Sequence, residues 1–566
     1  MKKLIFLLFA IYLSTLAGNA YAQDELVVGM NLLDRHDCTG ALEHLIKAVN
    51  RDPKSEKANL YLGNTYLCLG NLDSAAIFFN AAVNLKDDYA AAYFGLGEVY
   101  FQQKKFASAI DNLKEAINYD PKNLSYELTL GKAYLQVDSL DMAMGAFYKA
   151  RDMNDKSPLA LEGIGDVYSK QNIFDPAIEN YKEALQIDSN DISVRLKLAN
   201  AYMKNNDGGD AYEQFLIATK LDSNNADAQY QAGELLYINK RYREAFPFLS
   251  KYHELKPNDD KTLLQLANAG VEGHFYPEAV KAYQEYLAKY PNSSEAKKSL
   301  GAAYYFEKQP TLSYNTYKSV PIDSMNVREL VRFGLAANAV HDTATAIDAW
   351  SRAVKIDTTL SEIENLLANT LFGAKRYNDA IIHFQRHLTM EPNDPTAELN
   401  MGLCYFIIQD YPNAIAALRR VLAIRPENYQ GTIWLARALV FADSLGTASD
   451  EYDSLIAIAK SDTGGGDHSS DLNEAYRQKA LYQVISGTKI QKDHPDDAKK
   501  LYEAAYQNLA TALKYDSKEL KTHELLAQDY ALMGKIDDAC KEIKTVLRSE
   551  PHDDQMLKLQ KSLGCE

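Results

Sequence analysis

His383 and His387 lie four residues apart, with Glu391 a further four on. On a helix that spacing would present two imidazoles and a carboxylate on one face, as a metal site requires. Five cysteines offer a second chemistry: Cys38, Cys68, Cys404, Cys540 and Cys565 allow up to two disulfides with one thiol over. The sequence contains no HExxH, no GxSxG, no GxxxxGK[ST] and no paired CxxC, so it offers no recognisable nucleophile elbow, phosphate cradle or zinc cage. With 61 Lys and Arg against 77 Asp and Glu, the formal charge is -16, a balance that repels the phosphates of nucleic acid. No catalytic residue, metal or cofactor is expected.

The elements that must position these residues repeat. Ala41, Ala75, Ala109, Ala143, Ala177, Ala211, Ala245 and Ala279 follow one another at intervals of 34 residues. Ser313, Ala346, Ala380, Ala414 and Ala448 continue the series, and Ala505 and Ala539 resume it after an interruption. Twelve residues before most of them stands a second small column, including Gly63, Gly97, Gly131, Gly165, Ala199, Gly233, Ala267, Gly301, Gly334, Ala368 and Gly402. Bulky residues such as Tyr66, Tyr100 and Tyr134 follow the small column by three, and Phe79, Phe147 and Trp350 follow the Ala by four. Spacings of three and four put each set on one helical face, and small residues let two helix axes approach. Pro53, Pro121, Pro257, Pro291, Pro392, Pro426 and Pro551 close their units, because Pro cannot donate the next helical hydrogen bond. Many of the 38 tyrosines occupy these bulky columns and are thereby assigned to packing.

At these columns the sequence resembles the tetratricopeptide repeat family. The resemblance implies an all-α fold, a right-handed superhelical solenoid of about 15 helix-turn-helix units with a C-terminal capping helix. An array of about 13 units is expected over 23–460, with a kink at 306–327 where Pro310, Ser313 and Pro321 depart from the pattern. A flexible glycine-rich loop follows at 461–471, then a modified unit, a final unit and the capping helix over 472–566, the last carrying Met556, Leu557, Leu559 and Leu563 on one side. Residues 1–22 read as a signal peptide: Lys2 and Lys3 precede an apolar run that ends at Ala20-Tyr21-Ala22. An exported protein is expected, periplasmic or extracellular, with no transmembrane segment once the leader is removed.

In the resembling family the first helices line a concave groove that binds extended peptides. Carried over, this implies that residues just after the small column face a partner: Asn64, Glu98, Lys132, Asp166, Asn200, Glu234, Asn268 and Asn369. Phe94, Phe101, Tyr230, Tyr237, Phe372 and Phe406 flank them as apolar anchors; the alternative is that all of these simply pack against neighbouring helices. The Lys and Asn pair with which chaperone-binding members hold a C-terminal carboxylate is missing, since Leu60, Leu196 and Leu264 stand where the Lys would be. The expected function is a non-catalytic interaction scaffold for a protein or extended peptide. A self-assembling envelope component, or a non-catalytic subunit of a glycan-processing envelope complex, is the alternative.

The repeat also places the candidate ligands. Cys38 falls in the turn of the first unit and Cys68 at the end of the next first helix, so the two can meet; Cys540 and Cys565 can staple the capping helix. Cys404 falls inside a core helix. His387 takes the place of the small residue seen at Ala48, Ala82 and Ala116, which reads as altered packing rather than ligation. Seven Asp-Ser/Thr triplets, at Asp73, Asp138, Asp323, Asp342, Asp357, Asp443 and Asp453, the third residue being apolar in all but Asp357-Thr358-Thr359, resemble the O-glycosylation acceptor of some bacteria, but the same dipeptides are ordinary turn and cap elements.

Overall fold

A computed structural model describes residues 23–461 and 467–565 of the chain. The expected leader at 1–22 and the glycines Gly464, Gly465 and Gly466 lie outside the described residues. Among the described residues every regular element is helical. The chain divides into two compact units, Met1–Ala282 and Tyr283–Glu566.

In the first unit, helices come in consecutive pairs: Glu56–Cys68 with Leu72–Leu85, Ala90–Gln102 with Phe106–Tyr119, Leu124–Gln136 with Leu140–Met153, and so on to Ala226–Ile238 with Tyr242–Leu255. Each helix packs chiefly against its neighbours in sequence, as expected where every repeat stabilises only the next. First helices begin on side-chain caps: Ser55 accepts from Ala58 N, Ser157 from Ala160 N, Asp191 from Val194 N and Asn225 from Ala228 N, each satisfying an amide that the helix leaves free. They end on one left-handed residue per repeat, at Gly70, Lys104, Asp138, Asn172, Asn206 and Lys240. The following amide then reaches back five residues, as Asn71 N does to Tyr66 O at 2.8 Å, closing the helix and reversing the chain.

The columns pack as their sizes require. Phe79, Phe147 and Phe215 are fully buried, and the Phe79 ring lies between Gly63 and Gly95; a Cβ added at Gly63 would come within 2.7 Å of it. Glycine is needed there for close approach, not for backbone freedom.

In the second unit the same pairing runs from Ser294–Phe306 onward, with Tyr317, Trp350, Phe384 and Leu418 in the buried bulky column. Over the expected kink, the second helix stops after nine residues, Pro310–Lys318, and a single 3-10 turn, Ile322–Ser324, leads to the next pair. Ser313, fully buried in the Ala column, donates to Gly301 O at 2.8 Å, so the hydroxyl is satisfied without a change in packing. Longer helices follow, Leu445–Ser461, Ser469–Ile490 and Pro495–Tyr515. Arg437 clamps the second of these through Asp471 and Glu474, at 3.2 and 2.8 Å. The final pair, Leu520–Leu532 and Ile536–Ser549, is covered by Asp554–Leu563, whose Met556, Leu559 and Leu563 join Ala527, Ile543 and Val546. Leu557, expected on that side, is instead 39% exposed.

Disulfides join Cys38 to Cys68 and Cys540 to Cys565, with Cα separations of 6.3 and 5.5 Å, while Cys404 is a buried free thiol whose pKa burial pushes up to about 12. Protein purified without reductant should therefore gain about 4 Da on reduction, about 2 Da for each bond. An unchanged intact mass would show both bonds to be absent.

Candidate functional site

Successive first helices contact one another directly, Leu124–Gln136 with Pro158–Lys170 in the first unit and Ser294–Phe306 with Val327–Ala339 in the second. Among the described residues, successive second helices make no comparably close approach. The first helices therefore form the inner side of each unit, and the residues after the small column lie there.

In the first unit this face carries a polar cluster. Tyr181 donates to Asp166 Oδ1 at 2.7 Å, and Lys197 from the next first helix donates to Asp166 Oδ2 at 2.5 Å and to Glu162 at 2.7 Å. Burial would lower the Lys197 pKa, but the two carboxylates more than offset it and hold the ammonium above its ordinary range. Burial, then the Asp166 charge, pushes the Tyr181 phenol up. Asp166, Lys170, Lys197 and the exposed Asn200 line an open cavity of about 530 Å³. Lys132 is exposed, whereas Asn64 and Glu98 are half-buried, and burial alone raises the Glu98 carboxyl. Asn268 donates to Tyr237 OH at 3.5 Å.

The expected anchors are less free than their positions suggest. Phe101, Tyr237, Phe372 and Phe406 each meet edge-on the aromatic five residues later, Phe106, Tyr242, Tyr377 and Tyr411, with centroids 5.3 to 5.7 Å apart. Phe94 stacks on Tyr126 at 4.7 Å and Tyr230 packs on Tyr252 at 5.2 Å. Burial, then the hydrogen bond to Glu234, raises the Tyr230 phenol. One side of each ring holds the repeats together, and the part that stays accessible is what a partner can use.

In the second unit, amides form a ladder across first helices: Asn400 donates to Asn369 Oδ1 at 2.8 Å, and Asn369 donates to Asn365 Oδ1 at 2.8 Å. The histidine pair does not converge. His383 bonds Glu364 at 2.5 Å, whereas His387 is buried between Ser361 at 2.8 Å and Asp394 at 3.1 Å, and Glu391 follows the helix end. Asp342 caps a helix by accepting from Thr345 N at 3.2 Å, and Asp138 and Asp443 occupy left-handed turn positions, so local structure accounts for three of the seven triplets.

Sequence reasoning missed a column four residues before the small one. Asn59, Glu127, Arg195, Gln229, Glu364, Glu398 and Thr432 are all buried there. Several bond a second-helix residue nineteen or twenty-two positions on, as Arg195 does Gln214 at 2.9 Å and Glu398 does Arg420 at 2.7 Å. The chemistry changes from unit to unit, so residue identity gave no repeating signal.

Family profiles described as TPR repeat match residues 165–206, and others described as tetratricopeptide repeat match 55–122 and, separately, 196–260 and 365–429. Neutrophil cytosol factor 2 of Bos taurus is 36% identical over 87 residues, 15% of this chain and 16% of that protein. Among solved structures, a tetratricopeptide repeat protein from Parabacteroides merdae is 15% identical, covering 44% of this chain and 99% of its own, with a TM-score of 0.36. The pilF protein of Pseudomonas aeruginosa is 20% identical over 38% of this chain and 99% of its own, with a TM-score of 0.35.

Proposed function

The chain is a tetratricopeptide repeat protein, a class of protein interaction scaffold, and on that footing we propose that its first-helix faces bind an extended segment of a partner protein. The observation that carries this reading is the open cavity at Asp166, Lys197 and Asn200. Two of its lining residues, Asp166 and Asn200, are positions expected from the repeat pattern to face a partner, and Phe101 and Tyr237 stand on other first helices of the same unit. The occupant is an extended peptide whose amides pair with Asn200 and Asp166 and whose apolar side chains rest on the accessible parts of Phe101 and Tyr237. Chemistry plays no part in it; recognition is by shape and anchors.

We further propose that the protein works outside the cytoplasm. The leader pattern supports this, as do the two disulfides, which persist where thiols are not kept reduced. No described helix is long and apolar enough to cross a membrane.

Site-specific photocrosslinking tests the binding face. A benzophenone side chain at exposed Asn200 should trap a partner in the native cell envelope, while one at Ile77, 64% exposed on a second helix, should not. Asn200→Trp combined with Lys132→Glu alters exposed positions, so folding should survive, and partner retained on the immobilised chain should fall at least about tenfold, or about 1.4 kcal/mol. Retention at the wild-type level would remove the first-helix face from the function.

A further inference from the structure

The overlooked column carries a buried acid in three repeats: Glu127 in the first unit, and Glu364 and Glu398 in the second. Each faces the second helix of its own repeat. Glu364 is met by His383, nineteen residues on, at 2.5 Å and by Arg386, twenty-two on, at 3.6 Å. Glu398 accepts from Arg420 Nε, also twenty-two on, at 2.7 Å. At Glu127 the same two positions hold Ala146 and Lys149. Ala146 has no donor, and Lys149 Nζ stands 3.6 Å from Oε1 on a side chain that is 67% exposed, too far for a good hydrogen bond. Glu127 is only 2% exposed, and its Oε2 has no hydrogen-bond partner; Glu398 Oε2 lacks one too, but there the other oxygen is held by Arg420.

The cavity at Glu364, about 660 Å³, is lined by the His383 and Arg386 that already pair with that acid, whereas the cavity of about 370 Å³ that opens beside Glu127 is walled by Ile117, Leu130, Met142 and Ala146. Gly145 leaves it open: a side chain added there would meet nothing within 4 Å, whereas the same position in the flanking repeats carries Asp111 and Glu179. Met142, beside the opening, is 54% exposed. Asp141 and Glu127 balance Lys114 and Lys149 among the lining residues, and Lys114 is drawn over the Tyr134 ring, 5.9 Å from its centroid. Burying a carboxylate oxygen without a donor is destabilising, so a ligand that supplies the donor offsets that cost.

We propose that the Glu127 cavity is a second recognition site, separate from the first-helix face, which receives an arginine side chain of a partner protein. The guanidinium takes the place of the donor that His383 or Arg420 supplies internally, and its three-carbon stem lies along Ile117, Leu130 and Met142. Arginine fits better than lysine because its planar fork can bond Oε2 while lying flat in the slot, and because it sheds water more easily than an ammonium. Lys149, already an ammonium, leaves Oε2 unbonded and, being exposed, can swing aside.

The test uses the full chain with ¹³C-labelled methionine methyls, the Met142 signal being assigned by Met142→Leu, and titrates acetyl-arginine amide against acetyl-lysine amide. Met142 should shift saturably with a Kd on the order of millimolar for so small a probe, and at least about fivefold tighter for the arginine form. Glu127→Gln should weaken binding at least tenfold. Ala146→His, which restores the Glu364–His383 register, and Gly145→Leu, which fills the opening and favours helix, should each abolish the shift, while Glu364→Gln should leave it unchanged. A silent Met142, an equal response to both probes, or wild-type binding by Ala146→His and Gly145→Leu would overturn the assignment. Because the probe acts on the chain alone, the outcome is independent of whether the first-helix face binds peptide.

Discussion

Trp350→Ala should destabilise its repeat by about 3–5 kcal/mol, the usual cost of removing a fully buried large aromatic. Trp350 is completely buried. Its indole donates to Val331 O at 3.3 Å and fills the space that Gly334 leaves open, so closely that any side chain at Gly334 would collide with the ring. Leu330, Phe333, Ala353 and Leu367 belong to the same core. Since helices in this fold pack chiefly on their neighbours, the damage should be local. Hydrogen exchange is the fitting measurement. Protection should fall in Val327–Ala339, Thr343–Ile356 and Ser361–Gly373, and stay at the wild-type level in Leu124–Gln136 of the other unit. Unchanged protection in Thr343–Ile356, or a uniform loss throughout the chain, would contradict the nearest-neighbour account.

That prediction uses what the sequence states most clearly. The Ala, small and bulky columns could be read directly because each repeat solves one packing problem with one residue type. Features that tolerate different chemistry were invisible. Left-handed turn residues recur once per repeat as His36, Lys104, Asn172, Gln409 and Asp443, because a single left-handed residue costs a non-glycine side chain only about 1–2 kcal/mol. The buried column before the small one was hidden for a related reason. Asn59 donates to Ser55 O, one turn back in its own helix, at 2.9 Å, Arg195 and Glu398 reach different partners, and only their shared depth unites them. The candidate binding face was half visible: Asp166 and Asn200 were named from the pattern, but Lys197, which holds Asp166, belongs to no column. Phe101 and Tyr237 were read as anchors without the edge-on contacts to Phe106 and Tyr242, because the pattern compares a column with itself and not with the column it touches.

Asp529 should make the last repeat less stable as pH rises, and Asp529→Ala should remove most of that dependence. Its column, two residues after the small one, holds Ala133, Ala201, Ala269, Ala303, Ala336 and Ala438 in other repeats. Asp529 is fully buried, and neither carboxylate oxygen has a hydrogen-bond partner. Burial pushes its pKa up to about 7, with Lys535 opposing only in part. Below about pH 4 the acid is protonated in both folded and unfolded chains and contributes no slope. Between about 4 and 7 the unfolded chain releases its proton while the folded chain keeps it, so stability falls as pH rises through that window; above it both states are ionised and the penalty is constant. Asp529→Ala puts the common residue of the column into a site already shaped for it, and at pH 8 it should stabilise Leu520–Leu532 and Ile536–Ser549 by about 1–3 kcal/mol. Glu524, raised by burial and then by Asp553 and Glu550, adds a slope of the same sign and should account for what remains in the variant. Hydrogen exchange of these two helices from pH 4 to 8, corrected for the intrinsic rate, decides the matter: if wild type and Asp529→Ala lose protection in parallel, Asp529 is not the group that titrates.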